Sequence, residues 1–142
     1  MAFVFAMAVT VLHILILGLL NFRTRSGGYK SGQVKGGYFA HLDHSKYEVP
    51  EFVVRMGRHY DNQFELPMLY LITCVVCLVL QILNPVAVIA AWLFIFTRLG
   101  HTYEHLGKNF VPRRAMWFFS GWVCVVAMWV VIVFREFVLV LA

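Results

Sequence analysis

Polar sequence is what this chain has least of. Of its 142 residues, 13% are charged and 61% are hydrophobic, against an apolar share of roughly 45–50% in soluble globular domains. The apolar residues gather in four long runs, and each crossing of a bilayer takes about 20 of them. The runs use more than half of the chain and leave one substantial loop, residues 23–50, with two short connections. No room remains for a large soluble catalytic domain, and by length the chain is one domain.

Cysteine is scarce too. Cys74 and Cys77 fall in the second run and Cys124 in the fourth. Isolated thiols in apolar helices act as small packing residues, so no disulfide framework follows. Cys74 and Cys77 have the C-x-x-C spacing, but no βαβ pattern surrounds them to make it a redox motif. A basic start is missing before the first run, which extends from Phe3 to Phe22. That is too long for the core of a signal peptide, so it reads as a span. No nucleic-acid reader fold is present, so the net charge of +5 points to anionic lipid head groups or an anionic small molecule.

Basic residues are almost missing from one side of the four runs. Eleven of the 12 Lys and Arg lie on the other: Arg23, Arg25, Lys30, Lys35, Lys46, Arg55 and Arg58 around the first loop, and Arg98, Lys108, Arg113 and Arg114 around the last. The link at Asn84-Pro85 has none, and the C-terminal end has Arg135 alone. Short basic loops resist translocation, so both termini are expected outside and the polar chemistry at the cytoplasmic face.

The expected fold is all-α, an integral membrane four-helix bundle with spans near residues 3–22, 52–83, 85–106 and 113–134. Arg25-Ser26-Gly27-Gly28 is expected to end the first helix in a turn and to lead into an irregular Gly-rich loop. Pro50 opens the second helix, Gly107 stops the third and Pro112 opens the fourth. Pro67, inside the second span, is tolerable because neighbouring helices take up the freed backbone group. Trp92, Trp117, Trp122 and Trp129 suit interfacial anchoring or helix packing.

Two polar stripes interrupt the apolar pattern. Arg55, Arg58, Asn62 and Glu65 are spaced i, i+3, i+7, i+10, one face of a helix, with Phe52, Val53, Met56 and Phe64 opposite. Arg98, His101 and His105 are spaced i, i+3, i+7 near the end of the third span. Arg114 stands in the first turn of the fourth. All sit at one depth on one side, where ionisable groups normally face a partner or a cavity. Glu65 neutralises only part of Arg55, Arg58, Arg98 and Arg114, so a surplus of guanidinium groups is left for an anion. A single Arg snorkels to lipid phosphate as readily, but two facing stripes with Asn62 and Glu65 favour a cavity.

The segment Arg58-His59-Tyr60-Asp61-Asn62-Gln63-Phe64-Glu65-Leu66-Pro67 resembles the R-x-x-x-N-x-x-E signature, with a proline shortly after, of the MAPEG family. These are the membrane-associated proteins in eicosanoid and glutathione metabolism. Arg98-Leu99-Gly100-His101, His105-Leu106-Gly107-Lys108 and Pro112-Arg113-Arg114 are similar to the segment joining that family's third and fourth helices. The four-span layout agrees as well, so the resemblance covers nearly the whole chain.

It implies a homotrimer of four-helix subunits, with glutathione as co-substrate bound between neighbouring subunits at the cytoplasmic face. Arg58, Asn62 and Glu65 would hold the tripeptide, Arg98, His101 and His105 would line the pocket, and Arg114 would stabilise the sulfur. The implied activity is that of a glutathione-dependent transferase or peroxidase acting on a lipophilic small molecule drawn from the membrane lipids. The overall look is that of short bacterial members, which implies an inner membrane.

Departures accompany the likeness. His105 stands where several members have tyrosine, and Asp61 where some have a second Arg. Ala115-Met116-Trp117-Phe118 offers no hydroxyl where better-studied members place one. A hydroxyl-assisted mechanism and eicosanoid substrates are therefore not carried over.

Two other readings compete. His101-Thr102-Tyr103-Glu104-His105 spells H-x-x-E-H, an inverted zinc-protease motif, and its two His share a helix face. A third ligand such as Glu65 would still be needed, and Arg98 and Arg114 would repel a divalent cation, so no metal is expected. His41 and His44 form an H-x-x-H pair expected at the loop surface. The chain also suits a non-catalytic trimeric subunit of a larger membrane complex, its polar cluster satisfied internally and its loop contacting other proteins.

Overall fold

A computed structural model describes residues 1–41 and 47–141. Its regular elements are helices, with no strand among the described residues: α1 (Ala2–Lys30), α2 (Gly36–His41), α3 (Glu51–Asp61), one 3-10 turn (Asn62–Phe64), α4 (Leu66–Val79), α5 (Pro85–Leu106) and α6 (Val111–Leu141). Four stretches are long and apolar enough to cross a membrane: α1, Glu51–Val79, α5 and α6. The shortest, α5 with 22 residues, extends about 33 Å at about 1.5 Å per residue, enough for a hydrocarbon core of about 30 Å.

The expected turn at residues 25–28 is not one. Helix α1 runs through Gly27 and Gly28 to Lys30. Gly28 is needed for contact: a Cβ there would meet Val34 Cγ2 at 2.9 Å. The chain turns at Gly32 instead, with φ +72°. Nor is the following loop wholly irregular. It contains α2, and Val34 and Tyr38 join Val53 of α3 in a small core of their own. His44 of the loop pair and Lys46 lie outside the described residues.

The second span is broken where a continuous helix was expected. Pro67 has no amide hydrogen, and its ring excludes the carbonyl four residues earlier, at Gln63, from its helical place. The chain answers with the 3-10 turn and a non-helical Glu65, φ −97° and ψ −101°. Helix α4 also stops at Val79, short of residue 83, because Gln81 takes φ 55°. The amide of Ile82 then donates to the Cys77 carbonyl at 2.8 Å, a backbone closure of the kind that ends helices.

The third span matches its expected bounds. The Asn84 side chain accepts from the Val86 amide at 2.8 Å, capping the orphan donors of the first turn. Helix α6 overruns its expected end and continues to Leu141, with Arg135 paired to its neighbour Glu136 at 2.7 Å.

The main core joins α1, α4, α5 and α6, and the α5–α6 packing is the most extensive. Ala87, Ala90 and Ala91 let neighbouring backbones approach α5, as small residues do between membrane helices. The Tyr70 ring stacks on Phe94 with centroids 4.0 Å apart, and its hydroxyl donates to the Ala91 carbonyl at 3.1 Å. The three cysteines are buried free thiols. Outside, α1 exposes Leu15, Ile16 and Leu19, and α6 exposes Val130, Val133 and Phe134. Such a belt is what a lipid-facing surface requires, and the chain is a multi-pass membrane protein.

Candidate functional site

Two faces of α3 carry polar side chains, and the bundle separates them. Arg58 and, just beyond the helix, Glu65 are exposed, while Arg55 and Asn62 are half-buried. His59 and Gln63, one position further round, are sealed inside. The expected stripe therefore lines the outer surface of the bundle, and a second stripe faces α5. The expected apolar face divides likewise: Val53 and Met56 are buried, Phe52 and Phe64 exposed.

Inside, four imidazoles meet. His59 lies against two residues of α5, with ring centroids 5.4 Å from His101 and 4.8 Å from His105, and the latter two are 5.6 Å apart. Thr102, between them in sequence, places its hydroxyl 3.0 Å from His59 Nε2 and 3.0 Å from Nε2 of His13 on α1. Nδ1 of His59, His101 and His105 and Oε1 of Gln63 are buried without a hydrogen-bond partner.

Arg98 lies one turn before His101 on α5, toward the membrane interior. It is 2% exposed, and none of its three guanidinium nitrogens has a hydrogen-bond partner. Its charge rests between the rings of Phe94 at 5.4 Å and Phe118 at 5.6 Å. Gly121 of α6 makes the room, since a Cβ there would come within 3.0 Å of Nη2. Phe118 packs its ring 6.2 Å from His101.

The connection from α5 to α6 is tied down from three directions. Arg55 of α3 donates to the Gly107 carbonyl at 3.2 Å. Glu104, buried, accepts from the Phe110 amide at 3.2 Å. Arg114 donates to the Asn109 side chain at 2.8 Å. Gly107 ends α5 with an ordinary negative φ, and the left-handed residue is Asn109, φ 52°. These bonds fix where Arg114 stands. Its charge, with those of Arg55 and Arg58, bears on His105, and together with Arg98 it bears on His101.

The structure thus brings Arg55, Arg58, Arg114, His101 and His105 into one electrostatic neighbourhood, with Arg98 sealed behind it and Asn62 and Glu65 on the outer face. Among the described residues the one ion pair is Arg135–Glu136, distant in sequence from this group. These guanidinium groups have no carboxylate partner among the described residues, so the arrangement suits an anion. Among the described residues no three His, Cys, Asp or Glu converge to hold one. The rings of His59 and His101 stack at 28°, which keeps their in-plane lone pairs from meeting. Glu104 of the H-x-x-E-H segment is engaged by Phe110.

His13, His59, Gln63 and Thr102 are the polar residues that pattern reading passed over. A lone His in the otherwise apolar first span, and the His59/Gln63 pair at i, i+4, were the available signals.

A second feature is apolar. Leu69 of α4 and Trp122, Val125, Trp129, Val130 and Phe137 of α6 line an almost wholly apolar groove of about 630 Å³. Trp129 is held there by donating to the Thr73 hydroxyl at 3.0 Å.

Compared with known proteins, residues 1–134 match the sequence model of the MAPEG family. No curated protein matches the chain.

Proposed function

The chain belongs to the MAPEG family, membrane proteins of eicosanoid and glutathione metabolism, and from that premise we propose that it is a glutathione-dependent transferase or peroxidase of lipophilic electrophiles. The observation that carries this reading is the group of guanidiniums around His101 and His105 that has no carboxylate partner among the described residues. Glutathione carries two carboxylates and one ammonium, so it matches several Arg with one Glu. Guanidinium groups bind carboxylates bidentately, and among the described residues neither Arg58 nor Arg114 has an ion-pair partner. Glu65, exposed on the outer face, suits the ammonium, and Asn62 the peptide groups. The buried Arg98 would add its charge from behind rather than a direct contact.

A thiol with pKa about 8.5 is mostly protonated at neutral pH, and the thiolate is the nucleophile. Lowering that value by about two units takes about 2.7 kcal/mol of preferential thiolate stabilisation, which a guanidinium in a water-poor site supplies. In this reading Arg114, hydrogen-bonded to Asn109, takes that role. The apolar groove between α4 and α6 offers a surface on which an apolar reactant from the lipid can lodge. Because Arg58, Asn62 and Glu65 face outward, the site is completed by a neighbouring copy, in a homotrimer with its polar end toward the cytoplasm of a bacterial inner membrane.

The test is a thiolate difference spectrum of detergent-purified protein with glutathione, wild type against Arg114→Ala. A thiolate band that Arg114→Ala abolishes supports the proposal, and absence of any band at millimolar glutathione refutes it. One observation favours a second reading, that of a non-catalytic subunit of a larger complex. Phe118 occupies the place of the hydroxyl and packs on His101 and Arg98. Glutathione binding without turnover of any hydroperoxide or electrophile would select it.

A further inference from the structure

The end of the bundle opposite the arginine cluster holds a second polar place, and it joins the apolar groove. The bond from Trp129 to Thr73 sets α6 in register with α4, and the end of α4 comes beside Arg135. A hollow of about 370 Å³ opens there, and its polar lining is Gln81, Asn84 and Arg135. Val130 and Phe134 line both this hollow and the groove. The two therefore form one trough, apolar along its length and polar at one end.

The polar end is rich in donors. Gln81 sits outside the helix at φ 55°. Asn84 uses its side-chain oxygen on the Val86 amide, which leaves its NH2 group to donate. Arg135 gives one guanidinium nitrogen to Glu136 and keeps the remaining N–H donors of its fork. Among the described residues no carboxylate lines the hollow. A phosphodiester, anionic and able only to accept, fits these groups. The Arg135–Glu136 pair is neutral as a whole and so matches a headgroup that is neutral too, its phosphate on Arg135 and its ammonium toward Glu136. The apolar part fits one acyl chain. From Arg135 inward to Trp122, α6 rises about 20 Å at about 1.5 Å per residue. That reaches through one leaflet and stops short of the full hydrocarbon core of about 30 Å. A helix of a second copy crosses the whole core, and seated here it would cut the donors of the hollow off from water, at a cost for each one left unpaired.

We propose that this trough binds a zwitterionic phospholipid of the phosphatidylethanolamine kind, with one acyl chain in the groove between α4 and α6 and the phosphate against Arg135, Gln81 and Asn84. The site is separate from the arginine cluster and does not depend on glutathione. An apolar reactant lodges in the groove by displacing this chain.

Trp122 and Trp129, in the groove wall, report the occupant. Full-length protein, freed of lipid in detergent, is titrated with phosphatidylethanolamine carrying brominated acyl chains, which quench indole fluorescence on contact. The expected result is quenching that saturates near one lipid per chain and is mostly lost in the double variant Trp122→Phe, Trp129→Phe. Brominated diacylglycerol, which has the chains without the phosphate, binds several-fold more weakly. Arg135→Gln weakens phospholipid binding roughly tenfold, as the loss of a charge-assisted hydrogen bond does. Val130→Phe, which fills the trough where its two parts meet, weakens it as well. Quenching that rises without saturating, equal affinity for the diacylglycerol, or unchanged affinity in Arg135→Gln overturns the proposal. Tighter binding of brominated phosphatidylglycerol, an anionic lipid, overturns the headgroup assignment. Assembled protein in which Trp122 and Trp129 are not quenched at all gives the groove to a neighbouring copy and overturns the lipid site.

Discussion

Replacing Arg98 by Met should make this protein more stable. The guanidinium is 2% exposed, and its three nitrogens find no hydrogen-bond acceptor among the described residues. Desolvating a charged group costs several kcal/mol even after the surroundings relax. Contacts with the Phe94 and Phe118 rings, at 5.4 and 5.6 Å, return about 2 kcal/mol each when desolvated. A Met of similar length keeps the packing between those rings and against Gly121 while removing the charge. The expected net gain is on the order of 1–4 kcal/mol, by analogy with the range found when a buried ion pair gives way to well-packed apolar residues. Unfolding by sodium dodecyl sulfate in mixed micelles measures it, with the midpoint moving to higher detergent fraction. With glutathione present the gain should shrink, because the wild type alone then has an anion near its buried charge. A loss of 2 kcal/mol or more in Arg98→Met would refute the reasoning. It would mean that Arg98 holds a strong acceptor in the assembled protein.

Three further outcomes are expected. Gly100→Ala sets a Cβ 2.6 Å from two atoms of the Trp117 indole, and the resulting overpacking costs about 1–3 kcal/mol or more, read as a lowered unfolding midpoint. Thr102→Val removes the hydroxyl shared by His13 and His59 and leaves two buried ring nitrogens unpaired, destabilising by about 1–3 kcal/mol for each, whereas Thr102→Ser stays near wild type. Pro67→Ala restores an amide hydrogen and lets α3 run into α4. The rotation this imposes on Asn62 and Glu65 should weaken glutathione binding in an equilibrium titration while stability rises; unchanged affinity would mean that the break at Glu65 does not shape the site.

Much of this architecture was legible in residue order. The third span has its expected bounds because Asn84-Pro85 and Gly107 mark both ends by local chemistry. The first and fourth spans run longer than read. Glycine at residues 27 and 28 signals a turn by composition, yet Gly28 serves a contact with Val34 that only the folded chain reveals. The site was legible in part. Spacing found the Arg55–Glu65 stripe and the Arg98–His105 stripe, but a periodicity of 3.6 does not say which of two adjacent polar faces turns inward. His59 and Gln63 took the inner face because the partner across from them is α5, not lipid. The burial of Arg98 behind Phe118 was hidden for the same reason, since it depends on Gly121 of another helix.

The most direct test of a glutathione pocket built on these arginines is an experimental structure of the protein in lipid with glutathione added. Density for the tripeptide should touch Arg58, Asn62 and Glu65 at a junction between two copies of the chain, with its sulfur nearest Arg114. Glutathione density elsewhere, or a saturated sample with these side chains facing only lipid, would contradict it.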